Sequence, residues 1–301
     1  MNSIMTYSKT IKPYLKWAGG KQQIVIELLK LFPEDFNNYL EPFLGGGAVF
    51  FNLFHQIDNN AFLSKKKVFL NDLNSYLVNT YVCLAENTTK IVFELNSFEK
   101  KHFKNPEEYY YSQRKIFNDF VKINKITKKN KFKLAALFIY LNKSCFNGLW
   151  RVNKKNLFNV PWNKLNKVSL YNLKNIQNCS HLLKKYVILS KLDFYEFVKK
   201  KIKSNDFIFF DPPYIPLSTT ANFSNYTKNS WTDKDNERLR DILFYVDKIG
   251  GKFMMTNSNS LLSYKLFGQW KIKEIKVHRF IKALKKEKKR KKIKEVIITN
   301  Y

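Results

Sequence analysis

Hydrophobic residues recur along the chain in two different periods, which alternate towards both ends. Mostly apolar runs of strand length occupy residues 39–44, 68–72, 187–189, 207–210, 252–256 and 295–299. The segments between these runs have apolar residues at helical spacing. Ile24, Leu28 and Leu31, for example, share one face of a helix that ends before Pro33. Short apolar strands separated by helices are typical of a mostly parallel sheet covered on both faces. The pattern therefore predicts an α/β fold.

The middle of the chain follows a different pattern. Asn105-Pro106-Glu107-Glu108 has the cap, proline and acids that open a helix, and residues 134–141 fit another helix. Residues 142–162 are rich in Asn, Lys and aromatic side chains and show little periodicity. We therefore predict a mainly helical insertion at residues 75–171, which divides the α/β domain into residues 1–74 and 172–301.

The charge of the chain indicates a polyanionic partner. Lys and Arg total 54 against 24 Asp and Glu, a formal net charge of +30. This charge attracts DNA, RNA or an acidic membrane surface, although a biased coding sequence also explains part of a lysine excess. Residues 285–292 are lysine-rich and fit either a solvated hairpin tip or an arm that contacts phosphates.

Several other classes of protein are disfavoured. The cysteines Cys83, Cys145 and Cys179 are far apart, and no histidines have metal-ligand spacing, so we expect free thiols and no bound metal. Apolar runs such as 134–141 are too short to span a bilayer, and the N-terminus lacks the apolar core of a signal peptide. We expect a cytoplasmic protein that does not bind a membrane.

The candidate chemistry centres on Asp211-Pro212-Pro213-Tyr214, which directly follows an apolar strand. Two prolines cannot continue a central strand, so the chain turns at the strand's carboxyl end, where open α/β sheets bind ligands. Asp211 and the carbonyl of Pro212 can each accept a hydrogen from an amino group on a planar ring, while Tyr214 stacks on the ring. Positioning and electrostatics would then aim the nitrogen lone pair at a methyl donor.

A second segment suits a nucleotide-type methyl donor. Residues 41–47 read as a strand that ends in a glycine loop, and glycines let the backbone approach a ligand closely. Asp72 ends the next strand, where an acid can bind ribose hydroxyls. Lys21 can pair with a carboxylate. Trp17 can face a sulfonium by cation–π attraction or simply pack in the core.

Taken in order, several segments resemble those of Dam-type DNA adenine-N6 methyltransferases, both solitary and from restriction–modification systems. The match extends over nearly the whole chain, and the segments that carry it are residues 16–21, 41–47, 71–72, 146–151, 158–161, 211–218 and 299–301. The resemblance implies a Rossmann-like class I methyltransferase, with a catalytic domain of 1–74 and 172–301 and a DNA-recognition insertion at 75–171. It also implies catalysis by Asp211, Pro212, Pro213 and Tyr214 on an adenine flipped out of the duplex.

The cofactor that the resemblance implies is S-adenosylmethionine. The residues expected to bind it are Trp17, Lys21, Phe43, Gly45, Gly47, Asp72, Asp193, Phe194 and Asp211. Double-stranded DNA is the expected substrate. A cognate restriction endonuclease would act separately, and we expect a monomer or weak dimer.

The resemblance also implies a DNA-reading hairpin at residues 151–156. Asn153 would fill the space left by the flipped base, and Lys154 and Lys155 would face base edges or phosphates. Lys155 replaces an arginine of some relatives and Val152 an aromatic, and lysine lacks the bidentate fork of arginine. The residues expected to bind DNA are Lys16, Arg151, Val152, Asn153, Lys154, Lys155 and Pro161. GATC, the family's commonest site, is the expected target, and residues 215–231 resemble the family's mobile loop.

Other activities remain open on the motif alone. Cytosine N4, RNA adenine and protein glutamine are alternative planar amines. The basic insertion and the aspartate at position 211 favour DNA adenine. A protein that only binds DNA is a further alternative, against which the intact Asp211, Lys21 and Asp72 argue.

Overall fold

A seven-stranded sheet forms the centre of the fold in the computed structural model, which describes residues 11–55, 60–123, 125–215, 231–279 and 291–301. The strands are β1 (Tyr39–Glu41), β2 (Val68–Asn71), β3 (Val187–Ser190), β4 (Phe207–Phe210), β5 (Lys252–Ser258), β6 (Lys271–Arg279) and β7 (Lys291–Thr299). Their spatial order is β3-β2-β1-β4-β5-β7-β6. The strands from β3 to β5 in this order are parallel, whereas β7 runs antiparallel to both β5 and β6. The predicted α/β fold with a mostly parallel sheet is confirmed.

The sheet carries a hydrophobic core on each face because its central strands are apolar throughout. In β4, Phe207 and Phe209 pack into the core on one face, while Ile208 and Phe210 pack into the core on the other. Successive side chains of a strand point to opposite faces, so only a continuous apolar run buries both. All four of these side chains are fully buried.

Ten α-helices connect and cover these strands within the described ranges. They are α1 (Val25–Leu29), α2 (Ala48–Phe54), α3 (Ser75–Glu86), α4 (Thr88–Lys104), α5 (Pro106–Ile123), α6 (Lys131–Ser144), α7 (Leu173–Tyr186), α8 (Phe194–Lys201), α9 (Asp233–Lys248) and α10 (Leu261–Phe267). Side-chain caps fix several helix starts, because the first backbone N–H groups of a helix lack partners within it. Asn74 caps α3, and Thr232 and Asp235 form a capping box at the start of α9.

Five helices, α3 to α7, lie between β2 and β3 along the chain. Helix α6 is their centre: every side chain of residues 134–141 is buried, and α6 contacts α3, α4 and α5. The core around α6 is continuous with the core beneath Phe207 and Phe209 of the sheet. Residues 145–172 follow with two isolated β-bridges, Cys145 to Trp162 and Val152 to Phe158. The division of the chain at residues 75 and 171 stays a prediction.

Two predicted features lie largely outside the described residues. These are positions 216–230 of the expected mobile loop and positions 285–290 of the lysine-rich stretch. Strand β6 is an addition to the predicted strands. Among the helices that the structure describes, none combines the length and the apolar character needed to cross a bilayer.

Candidate active site

Neighbouring parallel strands bring the predicted motifs to one edge of the sheet. Strand β1 lies between β2 and β4, and all three are parallel. Asp211 directly follows β4, the glycine loop at 42–47 follows β1, and Asp72 follows β2. The carboxyl edge of such a sheet is where open α/β folds bind ligands. The topology therefore places both acids and the glycine loop on the same edge.

Asp211 is held by a lysine and a threonine from different parts of the fold. Lys21 Nζ lies 2.7 Å from Asp211 Oδ1, and the Lys21 side chain is only 5% exposed. Thr256 Oγ1, on β5, donates to the same carboxylate oxygen over 2.9 Å. Burial raises the pKa of the Asp211 carboxyl above its ordinary value, against the opposing effects of Lys21 and Thr256. The predicted pairing of Lys21 with a carboxylate is present in the structure, and its partner is Asp211.

Tyr214 is fixed at both its ring and its hydroxyl. Lys21 Nζ lies 4.7 Å from the ring centroid, and the hydroxyl donates to Glu295 Oε2 on β7 over 2.7 Å. Burial raises the pKa of Tyr214 well above its ordinary value, and the negative charges of Asp211 and Glu295 raise it further, so the phenol stays protonated. Pro212, between the two polar residues, is buried and Pro213 is half-buried.

The backbone after Tyr214 is anchored on β5. The N–H of Ile215 donates to Asn257 Oδ1 over 3.2 Å, and Ser258 Oγ donates to the carbonyl of Ile215 over 2.7 Å. These hydrogen bonds connect the chain to β5 after the two prolines, which interrupt the backbone hydrogen bonding between β4 and β5. They hold Tyr214 above the carboxyl edge.

The glycine loop is shaped by Asp72 and Trp17. The N–H of Gly45 donates to Asp72 Oδ2 over 2.9 Å, and the N–H of Asn74 donates to Oδ1 of the same carboxylate over 2.9 Å. A Cβ on Gly45 would lie 2.8 Å from the indole of Trp17, and Gly45 and Gly47 have φ of +50° and +69°. Glycine is required where backbone approaches a ring this closely with positive φ. Burial raises the pKa of Asp72.

Trp17 packs within the fold as well as against the loop. Its ring stacks on Trp150 and Phe138, each with a centroid distance of 6.4 Å. Trp17 is half-buried. The structure therefore shows Trp17 packed against other aromatic rings and the glycine loop, and the expectation that it faces a sulfonium stays a prediction.

Glu41 is a buried acid directly beneath the glycine loop. Tyr39 donates its hydroxyl to Glu41 Oε2 over 2.9 Å, and the backbone N–H of Phe50 in α2 also binds this carboxylate. Burial raises the pKa of Glu41 well above its ordinary value, and the nearby Asp211 and Asp72 raise it further. Glu41 thus ties the end of β1 to the first turn of α2, on either side of the loop.

Three aromatic side chains cluster beside the loop. The ring of Phe43 lies 5.3 Å from that of Phe194 and 5.7 Å from that of Trp231, between centroids. Asp193 caps α8 by accepting from the N–H of Tyr195, and it also pairs with Arg238 at 2.5 Å. The structure therefore brings Phe43 and Phe194 together beside the loop and gives Asp193 a helix-capping position, while the expected cofactor binding by these residues stays a prediction.

The predicted DNA-reading residues form an exposed hairpin. Its strands are joined by a bond from the N–H of Asn153 to the carbonyl of Leu157 (2.9 Å) and by one from the N–H of Asn159 to the carbonyl of Arg151 (3.1 Å). Asn153 Oδ1 accepts from the N–H groups of Lys155 and Leu157, both at 3.0 Å. The exposed predicted residues of this segment are Arg151, Asn153, Lys154, Lys155 and Pro161.

The side chain of Val152 points inward, unlike those of the exposed hairpin residues. Its side chain is only 7% exposed and packs in the hydrophobic core, where the residue pairs with Phe158 across the hairpin. Neighbouring hairpin residues point to opposite sides, so Arg151 and Asn153 face solvent while Val152 faces inward. Val152 therefore supports the hairpin, and its expected contact with DNA stays a prediction.

Lys16 is exposed and joined to the segment that leads into the hairpin. Its N–H donates to Asn142 Oδ1 over 2.9 Å, and Asn142 Nδ2 donates to the carbonyl of Lys16 over 2.6 Å. A Cβ on Gly148 would lie 2.4 Å from Cβ of Lys16. Close approach explains the glycine in the predicted 146–151 motif.

Several residues at the site had no distinctive signal in the sequence. Thr256 and Glu295 contact Asp211 and Tyr214 but lie inside ordinary strands, and Arg238 lies inside a charged helix. Glu41 belongs to the predicted glycine-loop motif, and its burial beneath that loop was not foreseen. The described residues contain no group of three or more His, Cys, Asp or Glu that could hold a metal ion.

Comparison with known proteins decides the family. The family model described as D12 class N6 adenine-specific DNA methyltransferase matches residues 17–289. The chain belongs to this family. The methyltransferase therefore acts on adenine N6 in DNA, as the resemblance implied, and this result decides between adenine and the other amines that the motif left open.

Relatives match the methyltransferase over nearly its full length. The type II methyltransferase M1.LlaDCHI of Lactococcus lactis subsp. cremoris is 35% identical, covering 100% of this chain and 99% of its own. The type II methyltransferase M.MjaIII of Methanocaldococcus jannaschii is 37% identical, covering 97% and 99%. A DNA adenine methylase of Haemophilus influenzae is 30% identical, covering 95% and 92%.

Proposed function

We propose that this methyltransferase takes its methyl group from S-adenosylmethionine and transfers it to an adenine flipped out of double-stranded DNA, within GATC. One observation carries the proposal: Asp211, paired with Lys21, stands on the same sheet edge as the glycine loop and Asp72. A group that holds the target amine is thereby next to a loop shaped for a nucleotide.

The residues around the loop fit S-adenosylmethionine. The carboxylate oxygens of Asp72 each have more than one lone pair, so they can accept ribose hydroxyls besides the N–H groups of Gly45 and Asn74. Phe43 and Phe194 supply aromatic surface for an adenine ring. The acids at this edge suit a positively charged sulfonium. The cofactor, when bound, supplies an electrophilic methyl group.

Asp211 and Pro212 would hold the target amine. The Asp211 carboxylate accepts one amino hydrogen and the Pro212 carbonyl accepts the other, which directs the nitrogen lone pair towards the methyl donor. As the new N–C bond forms, the bond from the methyl group to the donor sulfur would break and positive charge would develop on the nitrogen. The Asp211 carboxylate stabilises this charge until the nitrogen loses one proton. Tyr214 stacks on the base. The amine of a paired adenine is inaccessible in the duplex, so the base must leave the stack.

The exposed hairpin would read the DNA. Lys154 and Lys155 are presented to solvent at its tip, where they can donate to guanine acceptors or phosphates. Lys16 and Arg151 are exposed near the same segment. GATC is proposed because it is the commonest site of the family whose DNA-reading hairpin this segment resembles. Two relatives are named type II methyltransferases, which supports a restriction endonuclease of matching specificity as a separate partner.

Methylation of defined plasmids tests this proposal. Purified protein is incubated with labelled S-adenosylmethionine and unmethylated plasmid, and the product is digested with nucleases whose cutting at GATC depends on adenine methylation. We expect labelled N6-methyladenine and protection at GATC. A plasmid already methylated at GATC is the matched control and should accept little label. Equal labelling of both plasmids would contradict the GATC site, and label without N6-methyladenine would contradict the reaction.

A further inference from the structure

Glu295 places a carboxylate inside the sheet next to the Asp-Pro-Pro-Tyr motif. It lies on β7, where it is opposite Ser258 of β5 and Ile275 of β6, and it is only 3% exposed. The next three residues of β7, at 296–298, are apolar and buried. Burying a carboxylate costs free energy unless polar partners compensate for its lost hydration. If position 295 served packing alone, an apolar residue would be more stabilising there.

One polar partner of Glu295 is the motif tyrosine. Tyr214 donates to Glu295 Oε2 over 2.7 Å, while its ring lies 4.7 Å from Lys21 Nζ. Lys21 in turn lies 2.7 Å from Asp211 Oδ1. Glu295 is thereby connected through Tyr214 and Lys21 to the acid proposed to hold the amine.

We propose that Glu295 is a positioning residue that fixes the ring of Tyr214 for stacking on the target adenine. The inference rests on the flipped base proposed above. A hydrogen bond to a carboxylate is shorter and stronger than one between neutral groups. It restricts both rotation of the ring and its distance from the sheet. The base then enters against a ring whose orientation is already set, which removes an ordering cost from binding of the extruded base.

A double-mutant cycle on the methyltransferase tests the inference. The variants are Glu295→Gln, Glu295→Ala, Tyr214→Phe and the Glu295→Gln/Tyr214→Phe pair. Glu274→Gln is the matched control, because Glu274 is an exposed acid on the adjacent strand β6. Each is measured for kcat, KM for DNA, melting temperature, and fluorescence of DNA with 2-aminopurine at the target position.

We expect Glu295→Ala to lower kcat roughly 10-fold or more, as loss of a hydrogen bond to a charged group does. Glu295→Gln retains an acceptor and should fall between Glu295→Ala and the wild type. In the Tyr214→Phe background, Glu295→Gln should change kcat by less than about twofold, because coupled residues are not additive. Glu274→Gln should match the wild type.

Two results would overturn the inference. One is unchanged kcat in folded Glu295→Ala, and the other is an equal loss from Glu295→Gln with and without the Tyr214 hydroxyl. The fluorescence separates the two proposals. No rise with the wild type contradicts base flipping and the stacking role with it. A rise with the wild type together with additive losses contradicts the role of Glu295 alone.

Discussion

At the scale of single residues, the acids of the site are stabilised by different partners. Asp211 uses Lys21 and Thr256, Asp72 uses backbone N–H groups, and Glu41 uses a phenol and a backbone N–H. Burial raises the pKa of all three carboxyls. The amino group that Asp211 is proposed to hold needs an ionised acceptor, so the hydrogen bonds to Asp211 bear directly on activity.

The pH dependence of kcat tests the hydrogen bond from Thr256. Thr256 donates to ionised Asp211 and lowers its pKa against the rise caused by burial. Thr256→Val removes the donor, so Asp211 takes up its proton at a higher pH. A hydrogen bond to a charged group stabilises it by about 1.5–3 kcal/mol, so the acidic limb should move up by roughly one pH unit or more.

Steady-state kcat from about pH 4 to 9 is the measurement, a range set by the ordinary aspartate pKa of about 3.9 and its rise on burial. Thr256→Ser is the matched control, because it keeps the hydroxyl and should keep the limb of the wild type. A limb that stays in place in Thr256→Val, or moves to lower pH, would show that this hydrogen bond does not set the ionisation of Asp211.

At the scale of elements, the hairpin owes its shape to asparagines. Asn153 Oδ1 closes the turn, and Asn156 has φ of +61°, in the left-handed region that asparagine tolerates better than most residues. Val152 and Phe158 anchor the hairpin in the core. Of the tip lysines, Lys155 contributes only its backbone N–H to these contacts, so replacing the lysine side chains should leave the hairpin intact.

Lys155→Ala tests whether the hairpin tip reads sequence. We expect discrimination between GATC and single-base variants of it to fall by about 1–3 kcal/mol if Lys155 contacts a base. The measurement is kcat/KM on matched oligonucleotide duplexes. Lys248→Ala is the control, because this exposed lysine ends α9 near the amino end of β5, opposite the site. A uniform loss on every duplex would instead assign Lys155 to phosphate.

The elements also show what sequence could and could not predict. Apolar runs predicted the central strands because burial on both faces requires them. Strand β6 is an edge strand with lysines at Lys271, Lys273 and Lys276, and such charged edges blur the apolar pattern. Its buried Ile275 and Val277 kept an alternation that gave a weak signal.

The residues of the site also differ in how far the sequence could predict them. Asp211, Lys21 and Asp72 belong to contiguous motifs whose chemistry is legible in one segment. Thr256 and Glu295 reach the site only because β5 pairs with β4 and β7 in a particular register. No local pattern records that register, because it is set by the packing of the whole sheet.

At the scale of the whole molecule, binding and chemistry have different sources. The net charge of +30 is spread over the chain and favours any DNA through its phosphates. Methyl transfer depends on a few side chains at the carboxyl edge of one sheet, and on Asp211 above all. A change at Asp211 should therefore separate the two properties.

Methyl transfer by Asp211→Ala, measured beside its DNA affinity, is the most direct test. The initial rate should fall by about 100-fold or more, as loss of a preorganised charge stabiliser does. The dissociation constant for DNA should stay within about threefold, because phosphate contacts dominate affinity. Melting temperature verifies folding, and Asp241→Ala, an exposed acid on α9, is the control. A folded Asp211→Ala protein that methylates adenine at the rate of the wild type would contradict the account.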